Sequence, residues 1–284
     1  MILFSGAHKA FQLGVLDYGR QVATLTHGAA LLPGWAFTTL AMAIAIMQLV
    51  LGVLILIGLW TRLALLVLGG AVLVTAAVYG VSGLIEQRWG PTGMSVAIVN
   101  NYLLPRAGLI ILLLLMPDAA DRYSIDGVLG HTDLRVSRDA ATAWAVFLAR
   151  ALLGWVFLVA GVHKVFIMGP LVHAKTLFVD PYASTMLPLW GLWASGTVIP
   201  FLEFAAGALT FIGLWTRPSL IILGGILVFV TFGHLVAAPM FVANSFILTR
   251  TALLLVVLML PSDADTLAMD RVLRRTASSR DAVA

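Results

Sequence analysis

Five residues in the second half of the chain could do chemistry: His163, Lys164, Glu203, His234 and Arg250. Each lies in or at the end of a long apolar run, where an ionisable group is costly and needs a reason. Together they offer two cations, one carboxylate and two imidazoles. A small apolar molecule with two carbonyl oxygens suits that set. Lys164 and Arg250 could hold the oxygens, while Glu203 or His234 could move protons. A quinone has such a head group on an apolar tail, and Trp155, Phe157, Trp190 and Trp193 could pack on its ring. The spacing is not specific to quinone. The first half carries a changed version of the set: His8, Lys9, Gln48, Tyr79 and Arg106. There glutamine stands for Glu203 and tyrosine for His234, so Lys9 and Arg106 have no acid at equivalent depth.

Other roles stay open for the same residues. Lys9 and Lys164 could snorkel to the membrane surface. Glu203 could pair with Arg250 or Lys164 as a structural ion pair, and His163 and His234 could be interfacial. Two histidines on facing helices could also ligate a b-type haem. The first half lacks the second histidine, which argues against haem, and no metal site is expected. Pro105 adds a possible kink in the first half, which would free a backbone carbonyl.

The elements that must position these residues are membrane helices. Of 284 residues, 61% are hydrophobic and 11% charged, and mean hydropathy is +1.03. A soluble domain carries about 25% charged residues, so this chain is too poor in charge to cover a water-facing surface. Residues 40–59, 63–81, 96–116, 143–167, 197–215, 218–237 and 240–260 are apolar runs. Each has about 20 residues, the length that crosses a bilayer as a helix. The net charge of +4 does not imply nucleic-acid binding, because the basic residues lie at the ends of apolar runs. There is no cysteine, which excludes disulfide, thiolate and zinc–thiolate chemistry by this chain alone. No flavin, dinucleotide or iron–sulfur fingerprint is present, and no signal peptide is visible.

The chain repeats itself. At an offset of 155, Gly6, His8, Lys9 and Phe11 fall on Gly161, His163, Lys164 and Phe166, and Gly58–Arg62 (GLWTR) falls on Gly213–Arg217 (GLWTR). After that the offset is 144: Asn100, Arg106, Pro117 and Asp126 fall on Asn244, Arg250, Pro261 and Asp270. The difference, 155 − 144 = 11, places an insertion near Ser82–Thr92. The expected fold is therefore all-α: a polytopic membrane helix bundle of two four-helix repeats in parallel orientation, with an axis along the membrane normal. It would have seven full transmembrane helices and a short N-terminal one. The first repeat would span 1–130, a linker 131–142, the second repeat 143–275 and a tail 276–284. Only five residues precede GAHKAF (6–11), whereas its counterpart GVHKVF (161–166) ends a helix that could start near Ala143. The first helix is thus expected to be a stub over the outer leaflet, or to begin upstream of Met1.

Arginines cluster on the side holding residues 117–142, both GLWTR turns and the C-terminus, which makes that side cytoplasmic. The chemistry-bearing residues then fall in the outer third of the membrane. In that frame Glu203 lies six residues into its helix, about 9 Å deep at about 1.5 Å per residue. The long segments 12–38 and 168–196 become outer loops, with Asp180, Tyr182, Trp190 and Trp193 as a docking surface for a partner.

The second half resembles the DoxX/DoxD-like family of four-helix membrane proteins. The resemblance rests on Arg150-Ala-Leu-Leu-Gly154, Phe157, Gly161 and Lys164, then on Glu203, Gly207 and Gly213–Arg217. The first half ends Ser124-Ile125-Asp126, similar to the family's serine-hydrophobe-aspartate ending, and the second less typically with Ala268-Met269-Asp270. The resemblance implies redox work in a bacterial cytoplasmic (inner) membrane, beside a partner that delivers electrons. Members include a subunit of a thiosulfate:quinone oxidoreductase, a subunit of a mycobacterial oxidative-stress complex, and relatives that serve in maturation of a redox enzyme. The expected function is a membrane-integral subunit of a redox complex that interacts with quinone and is not catalytic alone. The alternatives are a non-catalytic anchor or assembly subunit, and a small-molecule transporter. The outward position of the polar layer ranks the transporter last.

Overall fold

A computed structural model describes residues 2–25, 33–85, 98–116, 124–129, 136–237, 244–260 and 264–273. These residues are helical, with turns and no strand. The chain opens with α1 (Ile2–Ala7), which runs on as one wide turn, His8–Gln12, and reverses at Gly14 into α2 (Val15–Leu25). Two long helices follow, α3 (Gly34–Ile57) and α4 (Thr61–Ile85). A second wide turn, Val99–Leu103, leads into α5 (Leu104–Leu115). After a short helix at Ile125–Leu129 come α6 (Arg138–Val162), α7 (Leu189–Ile212), α8 (Thr216–Ala237) and α9 (Asn244–Met259).

Among the described residues, five helices are long and apolar enough to cross a membrane: α3, α4, α6 with its continuation to Ile167, α7 and α8. Two of the seven expected spans, 96–116 and 240–260, are shorter here, as Val99–Leu115 and Ile247–Met259. Residues 86–97 and 238–243, which border them, lie outside the described residues, as do residues 131–135 of the linker and the whole tail. Pro105 sits at the start of α5, directly after the wide turn, so no ordinary helix is kinked there.

One expected boundary moves in a way that matters. The helix expected at 197–215 begins at Leu189, because Pro188 has extended backbone (φ −69°, ψ 133°) and serves as its N-cap. Glu203 therefore lies fourteen residues into α7, about 21 Å from its N-terminus rather than about 9 Å. It lies nine residues, about 14 Å, from the last residue of α7. Along this helix the carboxylate is nearer the middle than the outer third.

α6 is the spine. It packs along α7 within the second half and against α4, α5 and α9. Residues Leu148, Leu152, Leu153, Val156 and Phe157 of α6 are fully enclosed. In lipid there is little hydrophobic drive between helices, so close packing depends on small residues. A Cβ on Gly161 would lie 2.4 Å from the Phe204 nitrogen, and one on Gly207 2.5 Å from the Leu158 nitrogen. α1 meets α3 in the same manner, with Gly6 against Leu49 and Gly52 against Leu3. These four contacts are also 155 residues apart, pair for pair.

The GLWTR turns are locked by the aspartates that end each half. Gly58 (φ 71°) and Gly213 (φ 77°) stop α3 and α7 in the left-handed conformation, and Trp60 and Trp215 also have positive φ, at 49° and 47°. A bulky residue there is unusual and must be held by its surroundings. Asp126 does so in the first half: its N–H donates to the Gly58 carbonyl (3.0 Å), and its Oδ2 accepts from Thr61 N–H (3.3 Å). Asp270 repeats this with Gly213 (3.0 Å) and Thr216 (3.2 Å), and its Oδ1 also accepts from Trp215 N–H (3.1 Å). The aspartate thus caps the helix that follows the turn. Replacing Asp270 by Ala is expected to lower stability by about 1 kcal/mol, as loss of an N-terminal cap does. Thermal unfolding in detergent checks this, and an unchanged melting temperature would show that the cap contributes nothing.

Candidate functional site

The close approach at Gly161 brings the end of α6 against the middle of α7. Lys164 consequently reaches Glu203, and the two form an ion pair. Glu203 is buried, while Lys164 is only partly so. The same register in the first half brings Lys9 to Gln48, whose Oε1 accepts from Nζ at 2.7 Å. The alternative partners proposed for Glu203 are thereby resolved: it pairs with Lys164. Arg250 instead donates from Nη2 to Asn100 Oδ1 (3.2 Å), a residue of the first half, and its guanidinium stands 5.2 Å over the Phe157 ring.

His163, Lys164, Glu203, His234 and Arg250 all line one cavity of about 340 Å³, together with Phe157 and Asn100. Its apolar walls are Leu192, Ile199, Ile226, Leu227, Phe229 and Val230. Lys9, Gln48, Tyr79 and Arg106 line a second cavity of about 330 Å³ in the first half. Lys9, Ile44, Gln48, Val72 and Tyr79 line the first-half cavity 155 residues before Lys164, Ile199, Glu203, Leu227 and His234 line the other.

Four of the expected site residues lie elsewhere, among them Trp193, which sits near the start of α7 and outside the cavity lining. Trp155 faces the other half: its Nε1 donates to the Ala76 carbonyl (2.9 Å) and its indole fills the space over Gly80. Trp190 is 77% exposed, at the start of α7. His8 is exposed on the wide turn after α1 and bonds Gln12. Aromatic type alone could not separate a cavity wall from a helix–helix contact.

Three residues that sequence reasoning did not place in the site line the larger cavity: His173, Tyr182 and Asn100. The expected outer loop 168–196 is largely helical. Short helical turns at Pro170–Ala174 and Lys175–Val179 fold onto α7, a third at Asp180–Tyr182 packs on the second of them, and Tyr182 Oη and His234 Nδ1 are 3.3 Å apart. His173 has a definite job. Pro200 inside α7 cannot donate to the carbonyl four residues back, which is that of Gly196. His173 Nδ1 supplies the missing donor at 2.7 Å. A carbonyl only accepts, so Nδ1 carries the hydrogen and Nε2 is left as an acceptor. One available signal was register: Tyr18 lines the first cavity 155 residues before His173.

Burial, then the nearby Lys164 charge, push His173 down from 6.5 to about 4. The unfolded chain takes up this proton near pH 6.5, whereas the folded chain refuses it until about pH 4. Stability is therefore complete above pH 6.5 and falls as pH drops towards 4, by up to about 3 kcal/mol for this group. Melting temperatures at pH 7.5 and pH 4.5 should differ more for the wild type than for His173→Gln, whose amide can still donate to Gly196. Equal acid slopes in both proteins would remove His173 from this role.

Residues 145–236, which include α7, α8 and most of α6, match the DoxX family model. No match was found among curated proteins or among solved structures.

Proposed function

From the premise that residues 145–236 form a DoxX domain of an integral membrane protein, we propose that the chain is the quinone-interacting subunit of a membrane redox complex. The second-half cavity is the docking place. One observation carries this: Lys164, Glu203 and Arg250 converge from α6's end, α7 and α9 on a chamber whose remaining walls are mostly aromatic and aliphatic. Two donors of positive charge face one carboxylate. The surplus charge favours an oxygen that gains electrons, and the apolar walls suit the ring and the start of a tail. Reduction of a quinone to a quinol consumes two electrons and two protons. Lys164 and Arg250 hold the carbonyl oxygens, and the Lys164–Glu203 pair exchanges the protons. The electrons come from a partner protein, since the sequence has no cysteine and no flavin or dinucleotide fingerprint.

The distribution of arginines supports a bacterial cytoplasmic membrane with the C-terminus inside. The partner then docks outside, near the exposed Trp190 and the ion pair of Lys175 with Asp180 (2.9 Å). The test is titration of the purified native complex with a short-chain quinone, in wild type and in Glu203→Gln and Arg250→Gln. If turnover and assembly both survive these changes, the chain is an anchor and the quinone reading fails.

A further inference from the structure

The first-half cavity carries two cationic side chains, Lys9 and Arg106, and no anionic one among the described residues. Among the described residues Lys9 donates to the neutral amide oxygen of Gln48 alone and stands 4.9 Å over the Tyr18 ring. Arg106 makes no hydrogen bond among the described residues. Its Nε is enclosed and unpartnered, and its guanidinium lies 5.7 Å from the Tyr102 ring. The described carboxylates of this half are engaged elsewhere, Asp17 with Arg20 on the exposed side of α2 and Asp126 at the start of α4. The larger cavity differs, for Lys164 has Glu203, and Arg250, whose Nε is likewise enclosed and unpartnered, donates from Nη2 to Asn100.

Two cations without an anionic partner in an apolar setting are each costly, while an anion placed between them recovers much of that cost. Arginine adds a planar fork that matches phosphate and carboxylate oxygens. Ser5 and Tyr79 offer hydroxyls in the same lining, whereas the Thr75 hydroxyl donates to the Ala71 carbonyl (2.7 Å), and Leu40 and Ile44 extend it with apolar wall. We infer that the first-half cavity binds the phosphate or carboxylate head group of an anionic ligand, held between Lys9 and Arg106. The two sources of that chemistry are an anionic phospholipid of the bilayer and a free anion from water. This assignment does not depend on quinone binding in the other half, which a quinone titration reads separately.

The experiment uses the full chain, purified and delipidated in a neutral detergent. Melting temperature and native mass spectra are recorded with dioleoylphosphatidylglycerol, with dioleoylphosphatidylcholine and with inorganic phosphate. The expected result is that the wild type retains phosphatidylglycerol over phosphatidylcholine, and that Lys9→Gln and Arg106→Gln each weaken retention at least about tenfold, the cost of one charge-assisted contact. A shift by phosphate that competes with the lipid assigns the source to a free anion, and its absence assigns it to the bilayer. If Arg106→Gln does not fold, Lys9→Gln and the wild-type comparison still decide. A wild type indifferent to both phosphatidylglycerol and phosphate, or variants that bind them as the wild type does, overturns the assignment.

Discussion

Replacing Arg150 by Met is expected to destabilise the protein by about 3 to 5 kcal/mol, enough to prevent its accumulation in the membrane or nearly so. Arg150 is 1% exposed, in the middle of α6. Its Nε donates to Asp265 Oδ2 at 2.6 Å, and its Nη1 donates to the carbonyls of Thr210 (2.9 Å) and Phe211 (2.6 Å). Those carbonyls lie in the last turn of α7, where Thr210 also accepts from the capping Gly213 N–H (3.2 Å), so the guanidinium completes the helix terminus as well as the ion pair. It also ties α6, α7 and the segment after α9 into one unit, next to the Gly213 turn. Methionine fills the volume but leaves the Asp265 carboxylate buried and unpaired. Arg150→Met with Asp265→Leu should regain much of the loss, because removing both charges avoids the uncompensated one. A single variant within about 1 kcal/mol of wild type would show that the pair is spectator to the fold.

Glu203→Gln is expected to reduce quinone-linked turnover of the assembled complex by about 100-fold or more, the usual contribution of a positioned proton-transfer group. Its fold should survive, and the chain itself supplies the reason. Gln48 occupies the equivalent place in the first half, where it accepts from Lys9 in the geometry that Lys164 and Glu203 use. The glutamine keeps the hydrogen bond and removes the exchangeable proton and the charge. Arg250→Gln tests the other donor, and it should weaken quinone binding more than it slows proton exchange. The two variants therefore separate: one acts mainly on turnover, the other mainly on affinity.

The five residues of the second-half set could be singled out in the sequence because ionisable groups in long apolar runs are few. All five of the second-half set line one cavity. The all-helical membrane architecture followed from the scarcity of charge together with the length of the apolar runs. What was not legible lies in contacts between distant segments. Pro188 fell inside the expected loop 168–196, yet it caps α7, and the resulting shift moved Glu203 inward along its helix. That shift removes the outward placement that counted against transport. Against transport there now stands the continuity of α7 past Glu203, since transport sites favour unwound helices. His173 was missed because its partner is a backbone carbonyl freed by a proline 27 residues away, and no side-chain pattern marks such a bond. Trp155 was misplaced for the converse reason. Its neighbours Ala76 and Gly80 belong to the other half, and only the packing of α6 on α4 brings them together. The aspartates of the two endings were visible as motif letters. Their work, capping the helix after each GLWTR turn, needed the fold.

The central claim is that the cavity between Lys164, Glu203 and Arg250 holds a quinone. Its most direct test is binding of a photoreactive short-chain quinone to the native complex, with the labelled residues read by mass spectrometry. The account predicts labelling on the cavity walls, at Phe157, Ile199 or Phe229, lost with excess unlabelled quinone and weakened in Arg250→Gln. Labelling confined to other surfaces, or undiminished in that variant, would contradict it.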